Sequence, residues 1–261
     1  TAGCGIADQI WEQMVKEGLN HEEAYRRFWL IDRQGLVTSD REEIDYFKAP
    51  YARPSAEIAC WGSGDDPGKL LDVVRNVHPT ILIGTSTVQG AFTRKVITTM
   101  ASQVEHPIIF PLSNPLTLVE AVPDDLIRWT GGKALVATGS PFNDVNFRGQ
   151  SYPVAQCNNA LIFPGLGLGV ISSQAERVTA GMMDAATQAL ASSAEEEDIQ
   201  RLLPDVSHLM EVSKNIGMAV AQQAILEGVA CCQDNDVESL VESNIWEPVY
   251  RPYKPIKMPA K

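Results

Sequence analysis

Four short apolar runs in the chain end in polar or glycine residues. Asp32 follows residues 28–31, Thr85-Ser86 follow 80–84, Ser113-Asn114 follow 107–112, and Gly139-Ser140 follow 134–138. In a wound parallel sheet, ligands bind outside the carboxyl ends of the strands. Four such ends on one edge predict a ligand crevice, although Ser, Asn, Gly and Pro also serve as plain turn residues. Asp32 is the sharpest candidate. It stands more than about 20 residues after Gly3 and Gly5, the spacing at which an acid accepts the ribose hydroxyls of a dinucleotide. The competing reading is a loop aspartate turning the chain near Gly35. Arg33 beside it is compatible with a 2′-phosphate, which the acid repels. The balance favours NAD, with NADP left open.

Thr1 to Ala7 read as the second half of a glycine-rich turn already entering a helix. Gly3 and Gly5 would let backbone N–H groups and the helix start approach a pyrophosphate. The strand and first glycines of such a fingerprint are not in the sequence, so the chain is expected to be a piece of a larger enzyme. Asn114 and Asn158 carry carboxamides, which can donate to a substrate carboxylate without adding charge. Asn114 could equally bond its own backbone in a turn, and Asn158 could cap a helix. A general base, a metal-binding carboxylate cluster and a strand-end Lys or Tyr are not found. Asp65-Asp66 reads as a helix cap, and Glu195 to Asp198 as a solvated stretch.

Bulk properties narrow the class. The chain has 261 residues, 44% hydrophobic and 21% charged, as an ordinary globular protein does. A net charge of -12 argues against a nucleic-acid groove, which needs clustered Lys and Arg. No apolar run is long enough to span a membrane. Five cysteines without a C-x-x-C pair fit a reducing compartment, cytoplasmic or the mitochondrial matrix.

The elements that must position these residues alternate. A helix begins at once, with Ile6, Ile10 and Met14 on one face and Gly18 as its stop. Asn20 caps a second helix. Residues 36–66 are weakly patterned and read as a long excursion. Helices are expected from Asp66-Pro67 to Val77, over 93–103 and over 123–130, between strands at 80–84, 107–112 and 134–138. The continuous apolar centres of those strands suit a sheet covered on both faces. This pattern predicts an α/β, Rossmann-like, doubly wound and mostly parallel sheet. From Asn158 helices dominate, over 160–173, 179–192, 206–227 and 237–244. Residues 1–245 thus form the nucleotide-binding part, mainly helical over 160–245, and 246–261 an extended aromatic and proline-rich tail.

Several blocks together resemble malic enzyme of the NAD type: residues 70–77, Ile83-Gly84-Thr85-Ser86, Pro111-Leu112-Ser113-Asn114-Pro115, Ala137 to Phe142, and Gln156 to Gly165. The resemblance covers nearly the whole chain. It implies oxidation of L-malate with NAD or NADP, then decarboxylation to pyruvate on Mg²⁺ or Mn²⁺. By resemblance, Gly3 and Gly5 match the pyrophosphate turn, Asp32 the ribose acid, and Ser86 and Ser140 the lining of the cofactor cleft. Asn114 matches a residue touching malate and nicotinamide, and Asn158 a malate-binding asparagine. The family's catalytic Tyr and Lys and its metal ligands lie upstream of the fingerprint and have no counterpart here, so the chain alone is expected to be inactive. The resemblance further implies a missing N-terminal domain as partner and a homodimer or homotetramer. A non-catalytic nucleotide-binding module is the alternative, disfavoured by Asn158-Asn159.

Overall fold

Residues 2–61, 68–194, 202–232, 236–246 and 249–250 are described in a computed structural model of the chain. They fall into two compact units. The first holds Thr1–Asn158 with Ala194–Val206, and the second Asn159–Ser193 with Ser207–Lys261.

In the first unit the apolar spacing at the start forms α1 (Ala2–Lys16), which buries Cys4 and Ala7. In α2 (His21–Tyr25) the Asn20 side chain accepts the Glu23 N–H at 2.9 Å, filling one of the orphan donors at a helix start. Two-residue strands β1 (Ile31–Asp32) and β2 (Gly35–Leu36) then pair antiparallel. The weakly patterned stretch that follows is tied down. It contains the short helix α3 (Ser55–Ile58), a bridge between Thr38 and Arg53, and a buried Tyr51 whose hydroxyl donates to Asp8 at 2.5 Å.

Alternation begins with α4 (Leu70–Val77), β3 (Ile81–Gly84), α5 (Arg94–Ala101), β4 (Ile108–Pro111), α6 (Pro123–Trp129) and β5 (Leu135–Thr138). Thr93 caps α5, a contact worth about 1 kcal/mol. The hairpin β6 (Val145–Phe147) and β7 (Gln150–Tyr152) leads to β8 (Ala155–Gln156). The order β3-β4-β5-β8 is parallel throughout, so the carboxyl ends of all four strands share one edge. Val74, Phe92, Ile97, Met100, Ile109, Leu126 and Val136 fill the core beside this sheet. Burial alternates along β3 and β4. Leu82 and Ile109 are buried, whereas Ile81 is 44% exposed, so the even covering of both faces read from the apolar runs is not seen at that strand.

The second unit is helical: α7 (Phe163–Ser173), α8 (Ala180–Ser192), α9 (Leu209–Leu226) and α10 (Val237–Asn244). The helix expected from residue 160 starts at Phe163 because Pro164 suits only a first turn, and Asn159–Leu161 form a separate 3-10 turn. Met182, Ala186, Ile216 and Val220 make its core. No helix among the described residues is long and apolar enough to cross a membrane. The expected cap at Asp66-Pro67, the acidic run 195–198 and most of the tail, 247–248 and 251–261, lie outside the described residues.

Candidate functional site

Three of the four expected strand ends stand together, and a different fourth joins them. Thr85-Ser86 follow β3, Ser113-Asn114 follow β4, Gly139-Ser140 follow β5, and Cys157-Asn158 follow β8. The Ser140 Oγ donates to the Asn114 Oδ1. The Asn158 Nδ2 donates to the Gly139 carbonyl at 3.1 Å. A side chain at Gly139 would place its Cβ 2.2 Å from the Leu112 carbonyl oxygen and 2.7 Å from the Asn114 Nδ2. Only glycine therefore allows these two strand ends to close on each other. The result is a rim of neutral donors and acceptors held by its own hydrogen bonds.

Gly3 also reaches this edge. A Cβ there would stand 2.9 Å from the Thr85 hydroxyl, which places the start of α1 beside the end of β3. The first turn of α1 holds no acidic side chain. Its N–H groups and positive dipole end are thus not neutralised by a neighbouring carboxylate in that turn. Gly5, two residues further on, has nothing within 4 Å of the position a Cβ would take.

Asp32 departs from the expected arrangement. Its strand pairs in the β1–β2 hairpin and is not a member of the four-stranded sheet. The physical reason is local. The Asp32 Oδ1 accepts the Gln34 N–H at 2.9 Å, and Gly35 takes φ 98°, so the chain reverses at once. The Arg41 Nη1 lies 3.0 Å from both carboxylate oxygens, and the Lys48 Nζ lies 3.1 Å from Oδ2. Burial alone would raise the Asp32 pKa. The Gln34 N–H and the Arg41 and Lys48 bonds outweigh it and hold the carboxyl below the ordinary carboxylate range. A carboxylate offers about four acceptor sites, and these contacts already engage them. The turn reading of Asp32 is thereby realised in the geometry.

One residue at this edge has no counterpart among the sequence candidates. Glu120 is fully buried and reaches both the β3 and the β4 loops. Its Oε1 accepts the Ser86 N–H at 2.7 Å, the Ser86 hydroxyl at 2.8 Å and the Ser113 hydroxyl at 2.6 Å. Its Oε2 accepts the Ser113 N–H at 3.3 Å. Its partners are 7 and 34 residues away, so no local spacing announces it. A cavity of about 240 Å³ lies alongside, lined by Phe92, Leu116, Val122, Trp129 and Glu120 among others. Among the described residues no group of three or more His, Cys, Asp or Glu is placed to hold a metal ion. Burial raises the pKa of the Cys157 thiol, which suits a packed cysteine better than a nucleophile.

Residues 1–225 match the family described as malic enzyme, NAD binding domain. NAD-dependent malic enzyme 3 of Bacillus subtilis is 48% identical over 259 residues, covering 98% of this chain and 46% of that relative. NAD-dependent malic enzyme of Sodalis glossinidius is 48% identical over 257 residues, with 97% and 46% covered. The chain thus spans about half the length of these curated relatives. Among solved structures, malic enzyme from Pyrococcus horikoshii superimposes with a TM-score of 0.60 at 25% identity, covering 80% of this chain and 43% of that one. The Entamoeba histolytica malic enzyme gives 0.61 at 25% identity, with 83% and 41% covered. With a family match over residues 1–225 and a parallel sheet whose strand ends carry the expected polar residues, the chain belongs to the malic enzyme family and carries its NAD-binding domain.

Proposed function

We propose that this chain grips NAD and one end of L-malate within an enzyme that oxidises and decarboxylates malate to pyruvate. The supporting observation is the rim at the carboxyl ends of β4, β5 and β8, where Asn114, Gly139, Ser140 and Asn158 are joined by direct hydrogen bonds. Bound NAD supplies a hydride acceptor. The chain's own residues bind and orient. Gly3 lets the α1 start come against the Thr85 loop, where its N–H groups suit a pyrophosphate. Gly5 leaves open space on the same helix, and Ser86 and Ser140 line the cleft wall. Asn114 and Asn158 hold the acid near the nicotinamide, and orientation of this kind supplies a large share of a rate enhancement.

The donor set fits NAD at the rim. At Asp32 it fits by exchange, with the ribose hydroxyls replacing part of the Arg41 and Lys48 contact. The described residues offer no ligand set for Mg²⁺ or Mn²⁺, so no step is assigned to a metal here. Those ligands, the proton-transfer groups and the remaining malate contacts belong to the N-terminal part that the relatives carry and this chain does not match. A homodimer or homotetramer working in the cytoplasm or the mitochondrial matrix completes the proposal. It accords with the highly exposed Trp246 and Tyr250 near the chain's end.

Calorimetric titration of the chain with NAD and NADP tests the reading. Wild type is expected to bind NAD more tightly than NADP, and Asp32→Ala to weaken NAD about tenfold, one good hydrogen bond's worth. Unchanged NAD affinity in Asp32→Ala removes the ribose role from Asp32. No NAD binding by wild type removes the cofactor reading.

A further inference from the structure

We propose that Glu120 is a positioning residue for the cofactor cleft, a buried carboxylate that locks the β3 and β4 loops into one unit and thereby sets where Asn114 stands. The assignment rests on the cofactor reading above. It starts from the backbone. The Glu120 carbonyl accepts the Phe92 N–H at 3.0 Å, and the neighbouring Val119 carbonyl accepts the Gly90 N–H at 3.1 Å. These bonds draw the segment after β4 alongside the end of the β3 loop. The side chain then passes beneath Gly84. A Cβ there would lie 2.6 Å from the Glu120 Cδ and 2.8 Å from the Phe92 ring, so the last residue of β3 has no room for a side chain.

The carboxylate gathers four donors, two from Ser86 and two from Ser113. Each serine passes the constraint on. The Ser86 Oγ accepts the Val88 N–H at 3.2 Å, and the Ser113 Oγ accepts the Thr87 N–H at 2.9 Å. Ser113 directly precedes Asn114. Buried acceptors of this kind are worth more than exposed ones, and leaving their donors unpaired is costly. An acceptor-only group is required, because every partner aims a proton at it. In a glutamine one oxygen becomes an NH₂, which faces the Ser113 N–H donor to donor.

The test uses the whole chain and two readouts. Amide hydrogen exchange reports loop order, and calorimetry with NAD reports the cleft. In Glu120→Gln, faster exchange is expected at Ser86, Thr87 and Ser113, with β4 and β5 still protected and NAD affinity about tenfold lower. Glu120→Asp, too short to reach both loops, is not expected to rescue. Ser113→Ala removes one arm at smaller structural risk. It is the deciding variant should Glu120→Gln not fold, with faster exchange at Thr87 and weaker NAD expected. Unchanged NAD affinity in a folded Glu120→Gln, or in Ser113→Ala where that decides, overturns the assignment while wild-type binding leaves the cofactor reading standing. Uniformly faster exchange across the sheet also overturns it, since Glu120 would then be a general support. A wild type that binds no NAD overturns both readings.

Discussion

The hairpin around Asp32 and the rim around Asn114 each hold a polar side chain at a fixed place, and they do so by opposite means. At Asp32 a charge is surrounded by charges. Arg41 and Lys48 neutralise the carboxylate, and Arg41 also donates to the Gly35 and Leu36 carbonyls at 2.9 and 2.6 Å. At the rim the side chains bonded to one another carry no formal charge. Ser140, Asn114, Gly139 and Asn158 are locked by neutral hydrogen bonds and by the absence of a side chain at one position. The first arrangement depends on ionisation. The second depends on shape.

That contrast can be broken experimentally. Gly139→Ala should produce the largest effect. Its methyl group meets a backbone carbonyl, which cannot rotate away as a flexible side chain would. We expect a loss of about 3 kcal/mol in urea unfolding. Stability equal to wild type would mean that the strand ends are not closed on each other. Asp32→Asn should come next, at about 1–2 kcal/mol at neutral pH, since a charge-assisted contact is lost at a site about a quarter exposed. The effect carries a sign with pH. The folded carboxyl titrates lower than the unfolded one, so its contribution is complete above the unfolded value near about 4 and disappears as pH falls through the folded value. Wild type and Asp32→Asn should therefore converge in acid. A gap that stays constant with pH would show that ionisation is not what holds the hairpin. Asn158→Ala should cost least, about 1 kcal/mol, with no dependence on acid pH. A pronounced pH slope there would erase the distinction between the two regions.

Much of the fold could be read in advance where a run was long enough to show its period. Strands β3, β4 and β5 and helices α5, α6, α8 and α10 lie within a residue or two of the apolar runs and caps that announced them. The hairpin β6–β7 was not legible. It turns at Arg148 and Gly149, both at positive φ, and Arg-Gly is a weaker signal than Asn-Gly for such a turn. Strand β8 is two residues long after Pro153, too short for any periodicity. Without it Asn158 looks like a helix cap, when it sits at the end of the last strand in the sheet. At Asp32 it is the partners that local spacing conceals. An acid after an apolar run reads as a strand-end residue, whereas the basic partners that claim it arrive 9 and 16 residues later. Glu120 was invisible because nothing near it in the chain predicts that two distant serines converge there.

The bond between Ser140 and Asn114 has one more consequence. With the Ser140 hydroxyl donating to the Asn114 Oδ1, the carboxamide oxygen is engaged within the rim. Asn114 is exposed, and the group left for a visitor is its NH₂. At that point the rim presents a donor, which suits a lone pair better than an ammonium group. An aspartate of the same shape would present an acceptor there, so one atom sets the polarity of this part of the rim.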